Sequence, residues 1–277
     1  MLRGEWFIVN TGNGSSDAAI IEREERLREW FTQEYDPVRK IVESLDVGWG
    51  GVQRWASGRI SLPAKGLHLD AACGYATFLA QLGWRFPKAR LVGVNIDFDG
   101  AHALARPLLA EAGVKAALVQ ADAQRMPFAD GAFASASCFL GLQDIKIGFG
   151  QRGVQETVIE AVRVLRLGGV LALLDEFPFE KYDTMLSRLP IVVIDRAERA
   201  LDARWDREVA KQAIALYAEG WVAQTRVADE MVQEETRVKV YRQMEEEVEH
   251  QLAMQGYYVP FGPVRLIVAR KTWENAA

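Results

Sequence analysis

The sequence predicts an α/β fold: a doubly wound, mostly parallel, seven-stranded sheet with N-terminal helices and a helical lid inserted after the fifth strand. Three observations lead there. Between Gly66 and about Glu176, short apolar runs alternate with helix-like runs, the pattern of βαβ crossovers in a parallel sheet buried on both faces. The first of these runs stops at Asp70 and turns through Gly74 in HLDAACGYA, residues 68–76. Polar residues then recur at the ends of the later runs, where ligands of such sheets sit.

Residues up to about Asp17 carry little pattern, and NTGNGSSD reads as a connector. Asp17 can cap a helix with Ile20, Leu27, Trp30 and Phe31 on one side. Asp36-Pro37 opens a second helix, with proline at its first position and Val38, Ile41, Val42 and Leu45 as the buried stripe. The turn-rich VGWGGVQRWASG is expected to end this helical region. LHLDAA then precedes TFLAQLGWRF, and LVGVNI precedes an alanine- and leucine-rich stretch containing Pro107. ALVQAD leads into a loop, AFASASCFLG precedes TVIEAVRVLR, and GVLALLDEF closes the series. Gly168-Gly169 is expected to terminate a helix before that fifth strand. From about Phe177 to Gln255 the chain is long, charged and helix-like, and QGYYVPFGPVRLIVARK reads as two final strands joined by Gly-Pro. The expected division is an N-terminal segment with cap helices (1–60), an α/β core (61–176), a helical lid (177–255) and closing strands of the same sheet (256–277).

The 277 residues are 49% hydrophobic and 26% charged, enough for one substantial core and an accessory lobe. A formal net charge of −5 gives no electrostatic basis for broad nucleic-acid or anionic-membrane binding. The opening MLRGEWFIVN has too short an apolar stretch for a signal peptide, and no run reaches membrane-spanning length. Cys73 and Cys138, the two cysteines, have neither CxxC spacing nor a histidine-rich partner set. That argues against a metal site and suits a cytoplasmic, reducing setting.

A strand that delivers a carboxylate into a tight loop of small residues before a helix is suited to a nucleotide-like cofactor. Small residues let backbone N–H groups approach the ligand, and the helix N-terminus adds partial positive charge. Asp70 could instead cap the following turn, and Asp122 could be an ordinary strand-end residue. The strand ends together carry Asp70, Asn95, Asp122, Gly141 to Asp144, and Asp175-Glu176.

The series HLDAACGYA, LVGVNID, QADAQRMPFADGAF, CFLGLQDI and RVLRLGGVLALLDEF resembles the class I S-adenosylmethionine-dependent methyltransferases, of the broad type that includes ubiquinone/menaquinone-biosynthesis (type 11) enzymes. It covers roughly Tyr35 to Glu176 and the closing strands. The resemblance implies a Rossmann-like methyltransferase fold and S-adenosyl-L-methionine as cofactor. Its loop, Asp70 through Ala72 to Gly74, would pass under the methionine and ribose, with Asp70 receiving the amino group. Asn95 stands where such families use an acid for the ribose hydroxyls, with Ile96 beside it and Asp97 two residues on. Asp122 and the Ala123 N–H fit the adenine edge, Tyr35 would close over the methionine tail with Trp55, and Gln143 lies near the same cofactor. Met126, Pro127 and Phe128 would wall the adenine. Ala72 and Ala76 depart from the loop glycines, and Ala134 from an aspartate; the Ala72 methyl is tolerable if that residue needs no positive φ, and Ala76 would push the helix slightly from the strand.

Catalysis of methyl transfer comes largely from holding nucleophile and sulfonium together with water excluded, and acid–base groups enter where the acceptor must lose a proton. Asp144 and Glu176, with Tyr182 in the lid, are the candidate catalytic residues. His250, in a charged run, fits a solvated surface, and His68 and His102 fit structural roles. Phe177, Phe179, Tyr182, Trp205, Tyr217, Trp221 and Tyr241 suit a small apolar or aromatic acceptor, or else the lid's own core or a homodimer contact. DIKIGFGQRG, with its glycines, reads as a gate over the site. A nicotinamide-dependent dehydrogenase would show GxGxxG, and Tyr182 would have a lysine where Leu186 stands. The stronger rival is a catalytically silent methyltransferase-fold protein that binds or scaffolds, motivated by Ala72, Ala76 and Asn95.

Overall fold

A computed structural model describes residues 16–34, 51–63, 66–99, 102–201, 204–225, 229–260 and 262–272. The expected helix at Asp36-Pro37 and the candidate Tyr35 lie outside them. The described elements are α1 (Asp17–Glu34), α2 (Gly51–Arg59), β1 (Leu67–Ala71), α3 (Thr77–Arg85), β2 (Arg90–Asn95), α4 (Ala105–Glu111), β3 (Ala116–Gln120) and β4 (Phe133–Phe139). They continue with α5 (Leu142–Val164), β5 (Leu165–Asp175), α6 (Phe179–Leu186), β6 (Ile191–Arg199), α7 (Arg207–Thr225), α8 (Glu230–Gln255) and β7 (Val264–Lys271).

The seven strands form one sheet in the order β3-β2-β1-β4-β5-β7-β6. Pairing is parallel from β3 through β5, and β7 runs antiparallel to both β5 and β6. The apolar runs are continuous because alternate side chains enter different cores. Along β5, Leu171 and Leu173 pack with Val154, Val158 and Ala161 of α5, whereas Ala172 and Leu174 pack with Leu79 and Leu82 of α3. The chain order reverses direction across the sheet between β1 and β4, which is where a ligand crevice opens in such folds.

Four sequence expectations change. The run from Val47 to Gly58 does not simply turn: residues 51–59 are helix α2, pinned by Gln53 Nε2 to Thr77 Oγ1 (2.8 Å), an Arg54–Glu24 ion pair and Arg199 Nη1 to the Gly51 carbonyl (2.5 Å). At α1, Ser16 rather than Asp17 meets the first turn, its carbonyl accepting from Ile20 N (3.1 Å), while Asp17 pairs with Arg85 (2.7 Å). Gly168-Gly169 does not end a helix, because α5 stops at Val164; the pair lies inside β5, where the register against β4 shifts and Gly168 holds φ 73°.

The fourth change is the largest. IVVIDRAER, assigned above to the helical lid, is strand β6, so one strand of the expected final pair precedes the insertion and only β7 follows it. Its charges belong to an edge: Asp195 meets Arg59 (3.0 Å), Arg196 meets Asp183 (2.5 Å) and Glu198 meets Arg265 (2.6 Å). Charged edge strands resist pairing with other chains. The helical insertion therefore narrows to the α7–α8 hairpin, 207–255. Asp229 caps α8 through Met231 N (2.9 Å) and Val232 N (3.3 Å), and Gly256 ends it at φ 81°. At the hairpin's base, Trp205 and Tyr258 exchange both backbone N–H···O bonds, each 2.9 Å.

Candidate active site

The site is built from the carboxyl ends of β1, β2, β3, β4 and β5. After Ala71 the chain makes three left-handed residues in five: Ala72 at φ 56°, Gly74 at φ 50° and Ala76 at φ 66°. Cys73 N reaches back to the Val94 carbonyl (2.9 Å) and Ala76 N to Cys73 (2.8 Å), tying the loop to β2. Ala72 therefore adopts positive φ, so the condition under which its methyl is tolerated without strain is not met; that conformation costs an L-residue about 1–2 kcal/mol. Room for that methyl is made across the sheet: a Cβ at Gly141 would lie 2.7 Å from Ala72 Cβ. Helix α3, which follows Ala76, packs on β2 over Gly93, where a Cβ would lie 2.6 Å from Leu79 Cδ1 and 2.7 Å from Cys73 Sγ.

Asp70 ends the polar side of β1, 1% exposed. Its Oδ1 accepts from Ser137 Oγ (2.6 Å), and its Oδ2 is buried with no hydrogen-bond partner among the described residues. Burial pushes its pKa up to about 7, and the Ser137 bond only partly offsets this.

At the end of β2, Asn95 is buried, and its Oδ1 accepts from Ile96 N (2.6 Å) and Asp97 N (3.4 Å). The acceptor expected for ribose hydroxyls is thus already engaged by its own turn. Ile96 is 44% exposed, an aliphatic side chain left open beside that turn. Asp122 accepts from Gln124 N (2.8 Å) and Gln124 Nε2 (3.1 Å), which closes the turn after β3 with Ala123 buried behind it. Met126 is buried and Phe128 packs edge-on to Phe133 (4.9 Å).

A clamp that sequence reasoning missed fixes this wall. Arg163 on α5 donates to the Phe128 carbonyl (2.8 Å) and the Met126 carbonyl (3.2 Å), and Glu160 accepts from Met126 N (2.7 Å). Arg163 also pairs with Glu160 (2.7 Å) and Asp130 (2.5 Å). The Arg163 hydrogen bond holds Glu160 below its usual range. Nothing local in RVLRLGG marks that role, since the bonded segments are more than thirty residues apart.

Beyond β4 and β5 three carboxylates converge. Asp175, 1% exposed, accepts from Gln143 N (3.0 Å) and Glu176 N (2.9 Å), so it anchors the first turn of α5. Gln143 is held here by its backbone N–H. Asp144 is open to solvent on one side yet surrounded by protein, and desolvation followed by the Asp175 charge raises it to about 6. Glu176, half-buried, is raised to about 7 by the same two causes in the same order. Tyr258, 8% exposed at the hairpin base, feels both Glu247 and Glu176, which brings it into the electrostatic reach of this cluster. Only a terminal GYY turn hinted at it in the sequence.

Several candidates go elsewhere. Tyr182 is fully buried, with its hydroxyl 3.4 Å from the Arg265 carbonyl and Phe177 beside it (6.0 Å). Burial pushes its hydroxyl far up, so it packs α6 on the sheet and is withdrawn as an acid–base group. Trp55 packs in the α2 helix layer with the Arg59 guanidinium 6.0 Å from its ring. Trp205, Tyr241 and Tyr258 turn into the hairpin's own small core, the inward-facing use of the lid's rings. His250 is exposed on α8. DIKIGFGQRG is not a loop over the site but the first half of α5, broken at Gly150 (φ 69°, ψ −171°). Cys73 and Cys138 are buried free thiols, and no group of metal-ligating residues occurs among the described residues. No helix among the described residues is long and apolar enough to cross a membrane.

Residues 69–169 match a family model described as a methyltransferase domain. A comparison with curated proteins finds no match. Among solved structures, a candidate methyltransferase from Bacillus halodurans C-125 superposes with a TM-score of 0.56 at 17% identity, covering 80% of this chain and 100% of that one. The YcgJ protein of Bacillus subtilis gives 0.52 at 15% identity, over 80% and 98% of the two chains. The [4+2]-cyclase SpnF gives 0.53 at 15% identity, over 80% of each. At such identities these likenesses speak for the fold, and the domain match over the strands that carry the site speaks for the chemistry. The chain carries a methyltransferase domain over residues 69–169, set on a Rossmann-like α/β fold.

Proposed function

We propose that the protein transfers the methyl group of S-adenosyl-L-methionine to a small, partly apolar acceptor that gives up a proton. The observation that carries the cofactor assignment is the buried, unpartnered Oδ2 of Asp70 at the mouth of the loop, a site that an α-ammonium group satisfies in both charge and donor. Ile96 supplies an aliphatic wall for a planar base, and the Asp122 turn, held by the Arg163 clamp, an edge acceptor for its amine. Asn95 would donate to a ribose oxygen rather than accept from its hydroxyls. When bound, the cofactor supplies a sulfonium methyl to an in-line nucleophile.

The chain's own residues then manage the acceptor. Phe139 and Leu140 at the end of β4, and Tyr75 in the loop, are half-buried and give the acceptor an apolar surface. Glu176 and Asp144 stand at the neighbouring strand end with raised proton affinity, suited to taking a proton from an oxygen or nitrogen as it is alkylated. Lys146 and Lys181 flank the Phe177 ring (5.9 and 3.9 Å) beside them. The exposed Met231, Val232 and Val238 of α8 suit a homodimer contact through the hairpin, which light scattering of the purified chain measures.

Calorimetric titration with S-adenosylmethionine tests the cofactor assignment; no binding at millimolar cofactor would sink it. Transfer is tested with methyl-tritiated cofactor against a panel of phenols, quinols and amines. A general base predicts a rate that climbs with pH to a plateau above about 7 and a fall of roughly 10²–10⁴-fold in Glu176→Gln. Binding without label transfer across the panel would favour the silent reading, for which the engaged Asn95 oxygen and the left-handed Ala72 are the structural support.

A further inference from the structure

Behind the cofactor loop lies a row of buried polar side chains that the sheet fold does not require. His68 and Asp70 on β1 face the same side, and the register sets them opposite Ser135 and Ser137 of β4. Each of the four is no more than 2% exposed. His68 Nδ1 lies 2.9 Å from Ser135 Oγ and its Nε2 3.0 Å from Ser137 Oγ, which in turn lies 2.6 Å from Asp70 Oδ1. The chain of contacts is complete at every link and ends on the unpartnered Asp70 Oδ2.

Resting on the assignment of Asp70 to the ammonium group of the cofactor, we propose that His68, Ser135 and Ser137 are positioning residues that hold the Asp70 carboxylate with one oxygen engaged and the other presented to the ligand. Hydrogen counting gives the row a direction. A carboxylate Oδ1 can only accept, so Ser137 donates its single hydrogen to it. Ser137 Oγ must then accept from His68 Nε2–H, and a neutral His68 with its hydrogen on Nε2 accepts at Nδ1 from Ser135. Every donor in the row points toward Asp70, which favours its charged form inside a dry sheet. Burial keeps His68 neutral, down to about 3, so the ring serves as a dipole and not as a counter-charge. The other groups close to Asp70 are the Cys73 and Cys138 thiols, both pushed up by burial and neutral, with Asp175 acting on Cys138 from β5. A carboxylate lacking a charged partner, with its rotamer fixed from behind, is prepared for an incoming cation.

The test uses two ligands and one spectrum on the full chain. S-Adenosylhomocysteine carries the ammonium group, and 5′-methylthioadenosine lacks the amino-acid tail, so only the first engages Asp70. Ser137→Ala is expected to weaken S-adenosylhomocysteine by about tenfold at pH 7 and leave methylthioadenosine within about twofold. His68→Leu, which removes both ring nitrogens, should do the same if it folds, with His68→Gln recovering part of the loss. Equal weakening of both ligands, or of neither, overturns the row as a positioning device. Failure of wild type to bind S-adenosylhomocysteine, with methylthioadenosine bound, overturns instead the assignment of Asp70. Nitrogen-15 spectra of histidine-labelled wild type read the row without ligand, since the chain has three histidines. At pH 8 His68 should be neutral with hydrogen on Nε2, its shifts moving with a midpoint near 7 that Asp70→Asn abolishes. An Nδ1–H tautomer at pH 8, or a midpoint that survives Asp70→Asn, overturns the proposal.

Discussion

At Ala72 an L-residue occupies a left-handed conformation, and the compensation is found at Gly141 on the neighbouring strand end. Ala72→Gly should therefore raise stability by about 1 kcal/mol, since glycine relieves the φ strain. Gly141→Ala should cost roughly 1–3 kcal/mol by overpacking against Ala72 Cβ, and adding Ala72→Gly should recover part of that loss. Denaturant melts of the two single variants and the double variant measure the coupling; additive effects would show that the two residues do not meet. Asp122 is tied into its own turn by Gln124, so Asp122→Ala removes both a turn lock and a base-edge acceptor. Cofactor affinity should fall by about 1–3 kcal/mol in calorimetry, and unchanged affinity would move the adenine elsewhere. The residue types at this site were legible in the sequence because strand ends are local features. What they already bind was not: the engagement of Asn95 Oδ1 by two backbone amides depends on how its own turn closes.

Among elements, α5 does the most for the site. Its first turn is anchored by Asp175 from β5, and its last turn sends Arg163 to the 126–130 loop. Arg163→Ala leaves two carbonyls and two carboxylates without their donor, and should destabilise the fold by about 1–3 kcal/mol. Proteolysis should then cut first within 124–132, whereas a cut elsewhere would deny the clamp its local role. β6 shows where element assignment from sequence fails. Burial alternates along IVVIDRAER as in a strand, but four of its nine residues are charged because both faces of an edge strand are partly solvated. Beside a long charged helical region the same residues read as a solvated helix face, and only pairing with β7 decides between them. The gate reading of DIKIGFGQRG failed because Gly148 and Gly153 lie within helical turns, while Gly150, at φ 69° and ψ −171°, only kinks α5 between two helical stretches.

For the whole molecule, four carboxyls of the site are raised together by burial: Asp70 to about 7, Asp144 to about 6, Glu176 to about 7, and Asp175 in the same direction. A raised carboxyl contributes stability that is complete below its unfolded pKa, near 4, and is lost as pH climbs through the folded value. His68, lowered to about 3, works the other way, its contribution being lost as pH falls from about 6.5. These raised carboxyls outweigh the single histidine in the window from about 4 to 7, so this site lowers the stability of the ligand-free protein as pH rises across it. Asp70→Asn should stabilise the ligand-free protein at pH 8, by an amount on the order of 1–3 kcal/mol, with the gain gone by pH 4. Thermal melts across that range check the sign, and saturating S-adenosylmethionine should erase the advantage at pH 8 by giving the wild-type carboxylate its cation.

By itself, the sequence predicted the parallel core, the succession of its first five strands along the chain, and the polar residues at their carboxyl ends from Asp70 to Glu176. Those follow from local periodicity and from the rule that a parallel sheet presents its carboxyl ends to ligands. Tertiary structure alone decided that Ala72 is left-handed opposite Gly141, that Tyr182 belongs to the core, that β6 closes the sheet, and that His68 stands in line with Asp70. Each of these is a relation between segments far apart in the chain. A histidine two residues before an aspartate shares a face with it in any strand; whether it meets leucines or two serines there is set by the strand that pairs alongside.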